Sequence, residues 1–288
     1  MINGNNRLIR RINDKMILNK VLENIQQLQC ELQKISSSIQ NEIVSVIIDG
    51  SIIRGDFIED SSDIDITITT VHKNVDLQTK RHIEDVVKNI QSKLPKREQQ
   101  RKPLFYDVQW QDIKTVKDCG HRLLNEWSID NIPKGYPKLW LYAFDSIKYH
   151  EVIYGQDIIC LYTKIEPQYF IPIRMKRIQK SVIDLGDRIS DYDVNNGTIT
   201  QIKNAWETIR CICIEKGLLS IRKNDVIQFC KEHFSDMGDL EIIEDLYYFY
   251  LNEKNTKLLE GNYRKKLYDF TLNMIQRYYI KQEYGYRE

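Results

Sequence analysis

The stretch DGSIIRGDFIEDSSDIDITITT, residues 49–70, decides how the first half of this 288-residue chain folds. It follows a short, nearly continuous apolar run at residues 43–48, which predicts a buried strand. Residues 63–69 then alternate strictly between polar and apolar side chains, which predicts a second strand with one buried face. The polar face of that strand carries Asp63 and Asp65, so two carboxylates share one side of the predicted sheet.

These two carboxylates have the spacing of a metal site. Asp63 and Asp65 stand two residues apart on one strand, so their oxygens can converge on a hard cation such as Mg²⁺. Two such ions, about 3.5–4 Å apart, can clamp the attacking and leaving oxygens of a phosphoryl displacement. A third alternating strand is predicted over residues 104–110, and Asp107 is its only charged residue. We therefore predict that Asp63, Asp65 and Asp107 are metal-binding and catalytic.

The Gly-Ser pair after the first strand has the character of a phosphate-binding turn. Gly50 lets the backbone approach a phosphate closely, and amides at the start of a helix donate hydrogen bonds to an anion. The hydroxyl of Ser51 adds a further donor. Arg54 lies one helical turn further along, beside the turn at Gly55, where its guanidinium could meet the charge of a triphosphate.

In this order, the motif resembles the signature of the nucleotidyltransferase superfamily, which includes polymerase-beta-like enzymes and antibiotic nucleotidyltransferases. The resemblance implies that the triphosphate-binding turn is Gly50 and Ser51. It also implies that the three carboxylates are Asp63, Asp65 and Asp107. The reaction it implies is in-line attack of an acceptor hydroxyl on the α-phosphorus of ATP or another nucleoside triphosphate, with two Mg²⁺ ions and pyrophosphate as the leaving group. Asp107 either accepts the hydroxyl proton or is a metal ligand only.

The rest of the chain predicts an α+β protein with two domains. Amphipathic periodicity over residues 7–40 predicts a helix that the serine run at residues 36–38 ends, and residues 77–94 predict another. Both flank a mixed sheet that the extended segment EVIYGQDII completes. Further helical segments are predicted near residues 121–127 and 136–145. Beyond them helical periodicity dominates, over residues 174–190, 199–216, 224–234, 239–253 and 262–282. We predict a nucleotidyltransferase domain at residues 1–163 and an α-helical bundle domain at residues 164–288.

The second half also carries a resemblance, which concerns the acceptor. The layout of a catalytic lobe followed by a helical lobe resembles aminoglycoside nucleotidyltransferases. Residues 205–234, AWETIRCICIEKGLLSIRKNDVIQFCKEHF, are similar to the helical lobe of streptomycin-type adenylyltransferases, where a basic residue opens a helix after a glycine. This likeness implies that Lys223, or Arg222 beside it, contacts the triphosphate. It also implies adenylylation of an aminoglycoside and hence antibiotic resistance.

Charge and composition restrict the kind of acceptor and the cellular location that we expect. The 42 Lys and Arg residues nearly balance the 41 Asp and Glu residues, so no strong field exists to hold a long nucleic acid, and a small hydroxylated acceptor is favoured. No run approaches the roughly 18 apolar residues of a membrane span, and the N-terminal residues lack the apolar segment of an export signal. The six cysteines form no CxxC pair, which indicates reduced thiols. We expect a cytoplasmic monomer or homodimer.

Two other functions fit parts of the sequence. One is a nucleotidyltransferase that modifies a protein or an RNA end, because the acceptor class depends on the second half of the chain. The other is a non-catalytic, antitoxin-like regulator of the same fold, joined to a nuclease-like helical lobe. That lobe's family carries an arginine followed four to six residues later by histidine, whereas Arg210 is followed by CICIEKG. Nuclease activity by that route therefore has no support.

Overall fold

The computed structural model describes residues 3–57, 62–95, 104–118, 144, 146–162, 166–188, 194–234, 236–251 and 261–280. The chain divides into two compact units: Met1–Glu126 with Ser146–Lys164, and Trp127–Asp145 with Ile165–Glu288. The predicted α+β class is confirmed, with a mixed sheet in the first unit and helices throughout the described part of the second.

The sequence-based division ran between residues 163 and 164 and kept residues 127–145 with the first domain, whereas the compact units group them with the second. As a boundary between separately folding domains, the division at 163 stays a prediction. The predicted helices near residues 121–127 and 136–145 lie outside the described residues, apart from residue 144.

The first unit is built around a four-stranded sheet with the strand order β3-β2-β1-β4. Strand β1 is antiparallel to β2 and β4, and β2 is parallel to β3, so the sheet is mixed as predicted. The elements in chain order are α1 Asn3–Leu32, α2 Ser37–Gln40, β1 Ile43–Asp49, α3 Gly50–Arg54, β2 Ile64–Thr70, α4 Leu77–Gln91, β3 Tyr106–Asp112, β4 Glu151–Gly155 and a short 3₁₀ helix at Ile159–Leu161. A further helical turn covers residues 113–118.

The sequence predicts that the first helix ends at the serine run, residues 36–38; it ends slightly earlier, at Leu32, and a short helix begins at Ser37. Ser36 is extended, with φ −63° and ψ 152°, at the N-cap of that second helix. A serine side chain can bond to nearby backbone groups and so competes with helix continuation, which explains the break at the serine run.

One face of the sheet forms the main core. The isoleucines of β2 lie on that face, and Ile64, Ile66 and Ile68 are fully buried against α1 and α4. Burial of each such side chain stabilises the fold by roughly 1.5–3 kcal/mol. The opposite face of the same strand carries polar residues, so the alternation seen in the sequence separates a core from a candidate site.

A buried hydrogen-bond network joins the three elements of this core. The Tyr106 hydroxyl of β3 donates to Asn24 Oδ1 of α1 at 2.6 Å, and Asn24 Nδ2 donates to the Ile90 carbonyl of α4 at 2.9 Å. Burial raises the pKa of Tyr106, so its hydroxyl remains a donor at ordinary pH. Because a buried polar group without a partner is costly, this network fixes how the two helices sit on the sheet.

Replacing Asn24 tests that network. We expect Asn24→Ala to lower the free energy of unfolding by about 2 kcal/mol or more, because both the Tyr106 hydroxyl and the Ile90 carbonyl then lose their hydrogen-bond partner. Tyr106→Phe should cost only about 1 kcal/mol, since it removes a single partner. Urea unfolding of both single variants and the double variant measures the coupling, and strictly additive losses would contradict the network.

The second unit is helical in its described residues. Its elements are α5 Pro167–Arg188, α6 Val194–Glu215, α7 Lys223–His233, α8 Met237–Leu251, α9 Gly261–Ile275 and a π-helical turn at Gln276–Ile280, which confirms the helices predicted there. Helix α6 contacts α5, α7, α8 and α9 and is therefore the central helix of this unit. Its Trp206 is almost fully buried. Within the ranges that the structure describes, no helix is both long and apolar enough to cross a membrane.

Buried charge and free thiols accompany that central helix. Glu207 of α6 accepts from Arg174 of α5 at 3.2 Å and from Arg210 at 3.4 Å, so two guanidinium groups compensate one carboxylate. Cys213 and Cys230 are buried with free thiols and their sulfur atoms lie 3.5 Å apart.

Candidate functional site

Three aspartates are paired side by side in the backbone register of three neighbouring strands. The backbone register pairs Asp49 of β1 with Asp65 of β2, and Asp65 with Asp107 of β3. Residues paired in this way project from the same face of a sheet. Asp63 precedes Asp65 by two residues, which places it on the same side. We call Asp49, Asp63, Asp65 and Asp107 the acid row.

The register brings together the predicted pair and the predicted third carboxylate, and it adds one that sequence reasoning missed. Asp49 ends β1 directly before Gly50, and its carboxylate Oδ2 accepts a hydrogen bond from Ser146 Oγ at 3.1 Å. The sequence signal was the position of Asp49 at the start of the motif. It could be recognised only once β1 was known to run antiparallel to β2, with Asp49 opposite Asp65.

Electrostatic crowding is strongest at Asp65. Burial raises its pKa first, and the negative charges of Asp63, Asp49 and Asp107 raise it further, while Arg54 lowers it; the result is a pKa of about 8. Without a cation, the Asp65 carboxyl therefore keeps its proton at neutral pH. A site of this kind lacks positive charge, and a divalent ion would supply it.

The donor set fits Mg²⁺, because carboxylate oxygens on a rigid sheet are the ligands that hard cations take. As the side chains stand, no three His, Cys, Asp or Glu groups within the described residues are gathered closely enough to hold a metal ion. The backbone register and the crowding at Asp65 are therefore what support the metal site. Its ligand set of Asp63, Asp65 and Asp107 stays a prediction.

Gly50 lies directly against this row. Its φ is +73°, in the region that favours glycine, and a Cβ at this position would lie 1.9 Å from Asp65 Oδ2. The following turn is closed by the Ser51 carbonyl, which accepts from the amides of Gly55 and Asp56, both at 3.1 Å. The glycine thus lets the turn and the carboxylate occupy adjacent space. Binding of phosphate by Gly50 and Ser51 stays a prediction.

Arg54 is held inside the first unit by an acidic neighbour. Its Nε donates to Asp56 Oδ1 at 3.0 Å, and both side chains are 6% exposed. Its positive charge also acts on Asp65, whose pKa it lowers. The structure therefore shows Arg54 as a buried counter-charge, and the predicted contact with a triphosphate stays a prediction.

Lys223 and Arg222 lie at the start of α7 in the second unit. Arg222 is the N-cap residue and Lys223 is the first residue of the helix, with 9% of its surface exposed. Ser220 Oγ accepts from the Arg222 amide at 3.2 Å and donates to Asp225 Oδ2 at 2.6 Å, which fixes this helix start. The proposed triphosphate contact of either basic residue stays a prediction.

The comparisons with known proteins agree with this geometry. Residues 29–120 match the family model of the nucleotidyltransferase domain, and they include every member of the acid row. These residues of the first unit therefore match a nucleotidyltransferase domain, and the resemblance seen in the sequence is confirmed. No protein with a curated description matches the chain.

A solved structure extends the similarity in fold to the second unit. The chain is similar to the crystal structure of spectinomycin adenyltransferase AAD(9) from Enterococcus faecialis with ATP and spectinomycin, with a TM-score of 0.50 and 14% sequence identity. The match covers 88% of this chain and 99% of that chain. It agrees with the predicted resemblance to antibiotic nucleotidyltransferases, and at this identity it is a likeness of fold.

Two glycines with nearly the same positive φ allow the contact of Gly50 with Asp65 to be separated from the backbone demand of a turn. Gly55 has φ +78° and a Cβ there would meet nothing within 4 Å, so it is a matched control. We expect Gly50→Ala and Gly55→Ala each to cost about 1–2 kcal/mol of stability. In addition, Gly50→Ala must displace the Asp65 carboxylate. Pyrophosphate release should be lost in Gly50→Ala and kept in Gly55→Ala; equal activity of the two variants would contradict this reading.

The raised pKa of Asp65 predicts a pH-dependent effect on stability. Because the folded-state pKa of about 8 lies above the ordinary 3.8, the folded protein holds a proton that the unfolded chain releases, and stability falls as pH rises toward 8. Asp65→Asn has no carboxyl group to ionise at this position, so its stability does not fall with pH for this reason. In EDTA, its stability advantage over the unmodified protein should grow by about 2 kcal/mol or more between pH 5 and pH 8. Urea unfolding across this range measures it, and an advantage that does not change with pH would refute it.

Proposed function

We propose that this protein is a metal-dependent nucleotidyltransferase that transfers AMP from ATP to a hydroxyl of a small molecule and releases pyrophosphate. The observation that carries the proposal is the backbone register that sets Asp65 between Asp49 and Asp107, with Gly50 against its carboxylate. Carboxylates on adjacent strands beside a tightly approaching turn suit a reaction in which charge is neutralised and two substrates are aligned.

In this mechanism the acid row binds a divalent cation and the Gly50 and Ser51 turn orients the triphosphate. Asp63, Asp65 and Asp107 would hold Mg²⁺, which when bound neutralises phosphate charge and polarises the α-phosphate. The Gly50 and Ser51 turn would receive the triphosphate tail through its backbone amides and hydroxyl.

Proton transfer and charge balance fall to the remaining side chains. Asp107 either accepts the proton of the acceptor hydroxyl or serves as a ligand only. Arg54, buried beside Asp56, offsets part of the negative charge of the row before substrates arrive. On the triphosphate, Lys223 or Arg222 would supply a further positive charge from the second unit.

For the acceptor we propose an aminoglycoside antibiotic, which would make the protein a resistance enzyme acting in the cytoplasm as a monomer or homodimer. Two observations support a small acceptor. The fold is similar to that of an adenyltransferase whose structure contains ATP and spectinomycin. The formal net charge of +1 gives no strong attraction to a long nucleic acid.

The test is pyrophosphate release from purified protein with Mg²⁺, each of the four nucleoside triphosphates and a panel of antibiotics. We expect release with ATP and one antibiotic class. Asp63→Ala and Asp65→Ala should lower the rate at least ~100-fold, since each removes a ligand that the chemistry needs. Asp85→Asn, which neutralises an exposed carboxylate of α4, should leave the rate unchanged.

Each contrary result has a distinct meaning. A fully active double variant of Asp63 and Asp65 would refute the site. If labelled ATP transfers its AMP to a protein or an RNA and not to any antibiotic, the protein is a nucleotidyltransferase of macromolecules. If the protein binds nucleotide but releases no pyrophosphate with any acceptor, it is a non-catalytic regulator and not an enzyme.

A further inference from the structure

We propose that Asp49 is a positioning residue of the nucleotidyl-transfer site: held by the Ser146 hydroxyl, it acts through Asp65 to strengthen the affinity of the acid row for a divalent cation. This inference rests on the proposed function and adds to it two residues outside the predicted site. Asp49 and Ser146 are 97 positions apart in the sequence, and only the fold brings them together.

Asp49 lies in the sheet beside a predicted metal ligand. It is the last residue of β1 and lies directly opposite Asp65 in the antiparallel register. Its side chain therefore projects from the face that carries Asp65. A negative charge next to a ligand favours the cation that the ligand binds.

Asp49 does not cap the helix that follows it. Asp49 occupies the N-cap position of α3, where an aspartate commonly accepts a hydrogen bond from a backbone amide of the first turn. Here the side chain makes no such capping bond. Its carboxylate accepts instead from Ser146, which lies outside that helix.

The Asp49 carboxylate is held in place by Ser146, which lies in the segment that leads into β4. Ser146 Oγ donates to Asp49 Oδ2 at 3.1 Å, just before β4. The Ser146 carbonyl in turn accepts from His150 Nδ1 at 2.9 Å, and His150 Nε2 lies 3.3 Å from Asp157 Oδ2. This chain of contacts fixes Ser146, and through it the orientation of Asp49, in the manner of the outer-shell groups that orient metal ligands.

The test measures cation binding directly on the full-length protein without nucleotide. Mn²⁺ is the probe, and its binding is followed by electron paramagnetic resonance. We expect Asp49→Asn, which keeps the shape and an acceptor oxygen for Ser146 but removes the charge, to weaken Mn²⁺ binding about 10-fold. Ser146→Ala, which keeps the charge but removes the hydrogen bond from the Ser146 hydroxyl, should weaken it less. Asp85→Asn removes an equal charge from α4, which packs on the other face of the sheet, and should change nothing.

A second readout separates positioning from a structural role. In the transfer assay, the Mg²⁺ concentration for half-maximal rate should rise in Asp49→Asn, while the rate at saturating Mg²⁺ stays within a few-fold of the unmodified protein. Mn²⁺ binding equal to that of the unmodified protein in Asp49→Asn would overturn the proposal. If that variant does not fold, Ser146→Ala decides, and unchanged binding there overturns it.

Failure of the proposed function would look different. In that case the unmodified protein itself releases no pyrophosphate with any acceptor. Failure of this inference alone leaves the unmodified protein active and Asp49→Asn indistinguishable from it in cation dependence.

Discussion

The contact between the Gly50 backbone and the Asp65 carboxylate is the constraint on which the candidate site depends. A side chain at position 50 would occupy the space of the Asp65 oxygen, so the turn and the strand can meet only if that residue has no Cβ. The same contact requires a positive φ, which glycine adopts without strain. Steric and conformational demands thus select the same residue, and they place a tight turn next to a carboxylate.

Around that contact, the first unit separates apolar and charged groups across one sheet. The isoleucines of β2 pack under α1 and α4, while Asp65, one residue away in sequence, faces its charged neighbours on β1 and β3. The buried core makes the sheet rigid, and a rigid sheet can keep like charges at close range. The energetic cost appears in the raised pKa of Asp65, and a divalent cation would offset it.

Arg54 shows how the protein tolerates this charge before any ligand binds. The sequence predicts a triphosphate contact for its guanidinium because Arg54 lies one turn after the Gly-Ser pair, and that contact stays a prediction. In the folded chain the side chain is buried with Asp56 and lowers the pKa of Asp65. Two residues that are two positions apart form this pair, yet nothing in the sequence distinguishes a buried internal partner from an exposed phosphate ligand. Burial depends on what packs above the turn.

The sequence by itself determined the strands, the helices of the second unit and the faces of β2, because periodicity of apolar residues is a local property that burial enforces. It also indicated the motif from Gly50 to Asp65, whose residues are close along the chain. The tertiary structure alone decided which strands are neighbours and in what register. The place of Asp49 in the acid row and its bond to Ser146 depend on that register, since hydrogen bonding between strands joins residues whose separation in sequence carries no local signal.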